Sequence, residues 1–424
     1  MKVLMISVNA EEVYMSTWPL GLACVTESVR ASGHTVKFVD LMGADDLLGV
    51  TRESVENFNP DVIGISVRNI DSQKMTAQKF FPETARDIVA CCKSITPAPI
   101  ILGGAGYSIY PESLLDYLQA DMGIQGEGET PFVQAVERIG KGASLEGVPG
   151  LYISGRGMRG PRRFEKNLDD LPLPDVPWFA GSVPKNGDFW MPVQTRRGCP
   201  MGCSYCSTGS IEGRLLRKRS PRKVVEWLQR WCEVNVDQFY FVDNTFNLPP
   251  DYARTLCREM IASGLNPSWR CIIYPTGANE NLVTLMAEAG CREVSVGFET
   301  GSTLILNSMN KKFTNDDVRY TCDILAKHGI RRMGFLLLGG PGETRETVME
   351  SLEFADSLNL ESLKLTLGIR IYPQTSLAET AVRDKLIAPD DDLLMPRFYM
   401  VPGLQEWLTK TVNEWMSTRP NWIS

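Results

Sequence analysis

Three cysteines, Cys199, Cys203 and Cys206, stand within one short stretch, QTRRGCPMGCSYCSTG (residues 194–209), of a chain that has only two histidines. Thiolates at C-x3-C-x2-C spacing on one loop suit a metal centre. A structural zinc site takes four protein ligands, commonly as paired knuckles, and the sequence offers no second C-x2-C pair beside this one. An ordinary [4Fe–4S] electron carrier also takes four cysteines. Three ligands therefore imply one cluster with an open iron, a place where a second molecule can chelate.

The remaining cysteines are Cys24, Cys91, Cys92, Cys232, Cys257, Cys271, Cys291 and Cys322. Most fall in apolar periodic segments and read as small core residues. Eleven cysteines without framework spacing do not suit a secreted disulfide scaffold, and fit a reducing cytosol. The first residues show no signal-peptide pattern, Glu11 and Glu12 interrupting the apolar run, and no stretch has the ~20 apolar residues of a membrane span. A cytoplasmic location, an anaerobic setting and a monomer are expected. A hydrophobic share of 43% with 22% charged residues describes a folded protein, and a net charge of −7 argues against a nucleic-acid coat.

The elements that must position this loop alternate strand and helix. KVLMISV, TVKFVDL, VIGISV and PIILGG are buried-looking strands with helical segments between them. Such a pattern predicts a parallel sheet covered on both faces, whose ligand sits beyond the carboxyl ends of the strands. The candidate loops are residues 66–73, 103–112 and 125–130; no G-x-G-x-x-G follows the first strand, against a dinucleotide site. Residues 151–187, rich in Gly, Pro and charge, read as a linker. Six further strand-helix repeats then begin with MPVQTRR and end with SLKLTLGIR, predicting a barrel or partial barrel with its chemistry at the strand ends. The basic run RLLRKRSPRK (214–223) reads chiefly as solvated charge, with docking of an acidic donor or a phosphorylated substrate as the functional alternative.

The cysteine loop and the strand ends after it resemble radical S-adenosylmethionine (SAM) enzymes over residues 188–390. The pieces PLGLACVTESVRASGHTVKFVD, NPDVIGISV, ILGGAGYSIYPESLL and ADMGIQGEGETPF resemble the cobalamin-binding domain that precedes many of them. The resemblance implies an α/β chain: a Rossmann-like cobalamin domain (1–150), a linker (151–187), a radical SAM partial (β/α)6 barrel (188–390) and a short carboxyl-terminal segment (391–424). It implies that Cys199, Cys203 and Cys206 hold one [4Fe–4S] cluster. SAM would then lie against Tyr205, Asp243, Glu299, Gly339, Gly340, Arg370, Ile371 and Tyr372. Asn244 and Gln374 depart from the family's patterns at the second and last strand ends.

Cobalamin would lie against Pro19, Leu20, Gly21, Ser66, Arg68, Asn69, Gly103, Gly104, Tyr107, Gln125, Gly126, Glu127 and Gly128. The Asp-x-His-x-x-Gly mark of other cobalamin proteins is missing, so no histidine ligand to cobalt is expected, and His34 reads as structural. The implied activity is C-methylation: a 5′-deoxyadenosyl radical abstracts hydrogen from an unactivated sp3 carbon and methylcobalamin donates the methyl. An external one-electron donor of ferredoxin or flavodoxin type would reduce the cluster. The short tail suggests an open barrel mouth and a peptide or protein substrate, and the chain is similar to methanogen enzymes that C-methylate residues, a glutamine among them, of methyl-coenzyme M reductase. A radical cyclase or rearrangement enzyme acting on a small molecule, and a non-catalytic cobalamin or SAM sensor, remain as alternatives.

Overall fold

The protein is described by a computed structural model covering residues 1–10, 17–184 and 189–424. The expected linker-to-barrel boundary at 187/188 lies outside the described residues, as do Glu11 and Glu12.

The front sheet contains β1 (Lys2–Ser7), β2 (Thr35–Asp40), β3 (Val62–Ser66), β4 (Ile100–Gly103), β5 (Met122–Ile124), β6 (Leu151–Ile153) and β7 (Gly157–Met158), in the order β2-β1-β3-β4-β5-β6-β7. β1 to β5 are parallel because helices cross between them, covering both faces of strands such as β1, five of whose six residues are buried. The first helix, Leu20–Ala31, ends where Gly33 takes a positive φ of 82°. β6 and β7 add an antiparallel edge, so the first sheet runs past the expected boundary at residue 150. The sequence hid this because β7 has only two residues.

The second half opens with β8 (Met191–Val193), followed by a short ribbon of β9 (Arg196–Arg197) and β10 (Arg217–Lys218). The barrel continues through β11 (Gln238–Phe241), β12 (Ser268–Ile273), β13 (Cys291–Glu299), β14 (Arg331–Leu338) and β15 (Ser362–Leu367). A second ribbon pairs β16 (Ile369–Arg370) with β17 (Phe398–Tyr399), and β18 (Trp422–Ile423) comes last. The parallel sheet reads β18-β15-β14-β13-β12-β11-β8, with no pairing between its two edges among the described residues: a partial barrel.

Alternation along these strands sends one set of side chains to the helices and the other to the lumen. Leu363 and Leu365, or Trp269 and Cys271, join the main apolar core, leaving Lys364 and Arg270 on the inner face. The carboxyl-terminal segment packs outside: Leu404, Leu408 and Val412 join the same core, β18 extends the sheet, and Trp415 stacks on Trp422. Trp18, Phe38, Phe179 and Trp231 form an aromatic seam between the halves, edge-to-face in every pair except the tilted Trp18–Phe38. Among the described residues no helix is long and apolar enough to cross a membrane.

Candidate active site between the two sheets

β8 delivers the chain to the cysteine loop, and Asp243, at the end of β11, anchors the entry. It is 1% exposed and accepts hydrogen bonds from the Thr195 N–H (2.8 Å), the Thr195 hydroxyl (2.6 Å), the Arg196 N–H (2.9 Å) and the Arg196 guanidinium (2.9 Å). Its oxygens are therefore taken up by the protein, and the side chain braces the loop from behind. Glu212 braces it from the other side, accepting from Gly198 N–H (3.0 Å), Asn244 Nδ2 (2.7 Å) and Gln194 Nε2 (2.7 Å). Gly198 has φ +90°, and a Cβ there would stand 2.2 Å from the Leu215 carbonyl oxygen, so only glycine fits.

Beyond Gly198 the three thiols follow on one turn, Cys199 and Cys203 half-buried and Cys206 exposed. Burial raises the Cys199 and Cys203 thiols above the ordinary value, and charge on the neighbouring cysteines raises both further. Among the described residues no three His, Cys, Asp or Glu side chains converge tightly enough to chelate a single ion.

The turn at Met309–Lys311, which sequence reasoning missed, completes this side. Ser204 N–H donates to the Met309 carbonyl (3.1 Å) and Asn310 Nδ2 to the Gly202 carbonyl (2.7 Å), pinning the loop. Lys311, only 8% exposed, places its Nζ 3.2 Å from Glu299 Oε1 and 5.3 Å from the Tyr205 ring centre. Burial pulls the ammonium's pKa down, but Glu299, Tyr205 and the Cys203 thiol outweigh it and carry the pKa well above the ordinary lysine range. A permanent cation beside Cys203 offsets thiolate charge. Tyr205 and Glu299, both singled out from sequence, meet here, Glu299 with a left-handed φ of 64° that a non-glycine residue adopts at a cost.

At the end of β14, the Gly339 and Gly340 N–H groups both donate to Glu343 Oε2, the second at 2.9 Å. The loop thus has its amides occupied. Glu343 Oε1 is buried without a partner among the described residues, and burial pushes the carboxyl up to about 7. Of the last-strand trio, Ile371 is fully buried in the core shared with the front domain. Arg370 turns to that domain: its Nε donates to Asp71 Oδ2 (2.8 Å) and its Nη2 to the Tyr110 hydroxyl (3.0 Å) and the Leu393 carbonyl (2.9 Å). The Tyr372 hydroxyl accepts from Gln73 Nε2 (3.0 Å). Arg370 and Tyr372 therefore clasp the two sheets together, and the Arg370 guanidinium, expected to lie against SAM, is taken up by that clasp.

A cavity of about 340 Å³ lies at the carboxyl ends of β1 and β3, where the strand order reverses. It is lined by most of the residues expected to hold cobalamin: Pro19, Leu20, Gly21, Ser66, Arg68, Gly103, Gly104, Gly126, Glu127 and Gly128. A Cβ on Gly21 or Gly103 would meet nothing within 4 Å, so both open onto empty space and let a bulky ligand approach the backbone. This cradle fits a large, many-armed cofactor. Three of the expected residues lie off the lining. Gln125 donates to the Ser108 carbonyl (2.9 Å), Asn69 donates to Asn9 (2.9 Å), and Tyr107 fills the core against Gly123, where a Cβ would stand 2.2 Å from its ring. Cys24, read as a core residue, is buried but also lines the cavity. His34 sits elsewhere, its Nδ1 3.3 Å from the amino terminus.

The barrel supplies the cavity's far wall with Pro192, Gln194, Arg197, Ile211, Glu212 and Val242. Two arginines flanking the cysteine loop tie to the QGEGET turn: Arg197 bonds Glu129 (2.5 Å) and stands 3.4 Å from Glu127, which also pairs with Arg217. Arg217 and Arg219 of the basic run are thus buried ties, while Arg214, Lys218, Arg222 and Lys223 face solvent.

These two sites sit in a recognised pair of domains. The sequence matches the B12 binding domain over residues 6–136 and the Radical SAM superfamily over residues 193–355. The chain thus carries a B12 binding domain ahead of a radical SAM domain. It is an enzyme whose cofactors are a [4Fe–4S] cluster, SAM and cobalamin. It is 29% identical to an uncharacterised methyltransferase of Pyrococcus horikoshii, over 87% of this chain and 79% of the relative. It is 22% identical to a tryptophan 2-C-methyltransferase of Streptomyces laurentii, over 88% of this chain and 73% of the relative. Its fold overlays the radical SAM methyltransferase TsrM from Kitasatospora setae, solved with cobalamin and a [4Fe–4S] cluster, with a TM-score of 0.85 at 22% identity, covering all of this chain and 90% of that one.

Proposed function

We propose that the protein is a cobalamin-dependent radical SAM methyltransferase acting on an unactivated sp3 carbon. The observation that carries this is the shared wall: Gln194, Arg197 and Glu212 line the cobalamin cavity and also belong to, or brace, the loop of Cys199, Cys203 and Cys206. When bound, SAM at the cluster supplies a hydrogen-abstracting 5′-deoxyadenosyl radical, and methylcobalamin supplies the methyl group. The chain's own part is positional. The three thiolates would hold the cluster, Lys311 would offset their charge while paired with Glu299, and Tyr205 packs against Lys311. The glycine-lined cradle between Gly21 and Gly128 would hold cobalamin, with Arg68 in its lining. The relatives' methyltransferase activities support the reading.

A peptide or protein residue as methyl acceptor, the case of the methanogen enzymes, is favoured by one observation. The tail helix Gln405–Ser417 and β18 lie along the barrel's outside, so neither of them covers the mouth. The enzyme is proposed to work as a monomer in the cytoplasm, reduced by a ferredoxin- or flavodoxin-type donor.

The test is an anaerobic reaction of the loaded enzyme with SAM, reductant and candidate acceptors. Matched formation of 5′-deoxyadenosine, S-adenosylhomocysteine and a product heavier by one methylene supports methyl transfer. 5′-Deoxyadenosine with a rearranged, unmethylated product would assign a cyclase-type reaction instead, and no SAM cleavage would leave the sensor reading.

A further inference from the structure

Each sulfur of the cysteine loop has a different companion. The Met201 N–H bonds the Cys199 sulfur, and the Lys311 ammonium favours negative charge on Cys203. Cys206, the exposed member, lies 3.2 Å from the Thr208 hydroxyl. Among the described residues this is the one side-chain hydrogen bond that the Cys206 sulfur makes. As a thiol, Cys206 donates it. A thiolate has no proton to give, so once Cys206 is a ligand the direction reverses and Thr208 donates.

The hydroxyl has one proton and two acceptors in reach. The second, Asn244 Oδ1, is farther away, at 3.5 Å, and uncharged. Its direction is fixed, because Asn244 Nδ2 donates to Glu212 Oε2 at 2.7 Å and a carboxylate can only accept. A charged acceptor at 3.2 Å outcompetes a neutral one at the limit of a hydrogen bond, so the proton turns to sulfur. The backbone that carries the hydroxyl is held as well. Thr208 opens the short helix Thr208–Glu212, whose last side chain is tied to Gly198 N–H (3.0 Å) and Gln194 Nε2 (2.7 Å).

We infer that Thr208 is a positioning residue that acts through Cys206: its hydroxyl, donated to the Cys206 thiolate, raises the reduction potential of the cluster. When the external donor delivers one electron, negative charge on the cysteine sulfurs grows. A hydrogen bond to one of them therefore stabilises the reduced state more than the oxidised one, and the hydroxyl keeps its proton throughout. The inference rests on Cys199, Cys203 and Cys206 holding the cluster; it needs neither cobalamin nor a methyl acceptor.

A redox titration of the cluster-loaded full chain, followed by electron paramagnetic resonance without SAM, tests it. T208V keeps the branched side chain and removes the hydroxyl. At a fixed solution potential its oxidised-to-reduced ratio should rise about tenfold, the net worth of one hydrogen bond, which is a fall of about 59 mV for a one-electron couple. T208A should fall likewise, whereas T208S, which keeps the hydroxyl, should match wild type. A change of less than about twofold in both T208V and T208A, or a fall in T208S as large as in T208V, would overturn the inference. Variants that no longer hold iron would also overturn it, by making Thr208 a residue of cluster assembly. A wild-type chain that takes up no iron would remove the ligand assignment beneath the inference, and the iron count tells these failures apart. Because the titration involves no turnover, its result is separable from that of the methyl-transfer assay.

Discussion

At the scale of single residues, the site is held by groups whose neighbours fix their charge. Cys203 stands between Lys311 and its sister thiols, so C203A should remove the cluster's absorption near 400 nm and all 5′-deoxyadenosine formation. The cavity at the carboxyl ends of β1 and β3, proposed to take cobalamin and built from other residues, should still retain it. Glu343 makes a different prediction. Its folded pKa, about 7, lies above the ordinary 4.5, so between these values the folded chain binds a proton that the unfolded chain has lost. Its favourable contribution is complete below about pH 4.5 and drains away as pH rises through 7, a loss of about 3 kcal/mol. In E343Q the amide oxygen can still accept from Gly339 and Gly340, and that slope is absent. Thermal midpoints of wild type and E343Q should diverge from pH 5 to pH 8 in favour of the variant; parallel curves would show that Glu343 does not titrate there.

Elements, rather than residues, couple the two cofactors' places. The QGEGET turn ends a parallel strand and starts a helix, the usual position for a ligand loop, yet its two carboxylates face arginines from the barrel. Glu127 meets Arg217 and Arg197 in an interior where an unpaired charge is expensive. E127A should therefore cost about 3–5 kcal/mol in denaturant unfolding and weaken cobalamin retention, although Glu127 is remote in sequence from both arginines. A loss below about 1 kcal/mol, as for an exposed pair, would show that the network is solvated.

For the whole molecule, loaded protein purified without oxygen should contain about four iron atoms and one cobalt per chain; iron without retained cobalt, even after reconstitution, would remove the methyltransferase reading. The clasp of Arg370 on Asp71 and Tyr110 predicts that D71A opens the seam between the sheets, measured as faster proteolysis within residues 159–190 at unchanged temperature. Much of this architecture is legible in the sequence. Parallel strands bury both faces, so VIGISV and PIILGG announce themselves, and a C-x3-C-x2-C loop carries its spacing on its face. The glycines lining the cavity could be found for the same reason: they punctuate strand ends. What stayed hidden depends on partners far apart along the chain. Arg370 reaches Asp71 across 299 positions and Arg197 reaches Glu129 across 68, so neither spacing nor periodicity says which way those guanidinium groups turn. Lys311 escaped because the turn that buries it follows a helix of only six residues, Thr303–Ser308, with no distinguishing pattern.

The aromatic seam has an optical consequence. Trp18 is both part of that seam and part of the cavity lining, at 1% exposure. Corrin rings absorb over the wavelengths at which indole emits, so an occupied cavity would drain the excited state of Trp18 by energy transfer. The chain thereby carries its own gauge of vitamin loading: emission that dims as the cavity fills, and a smaller change once Trp18 is replaced by phenylalanine.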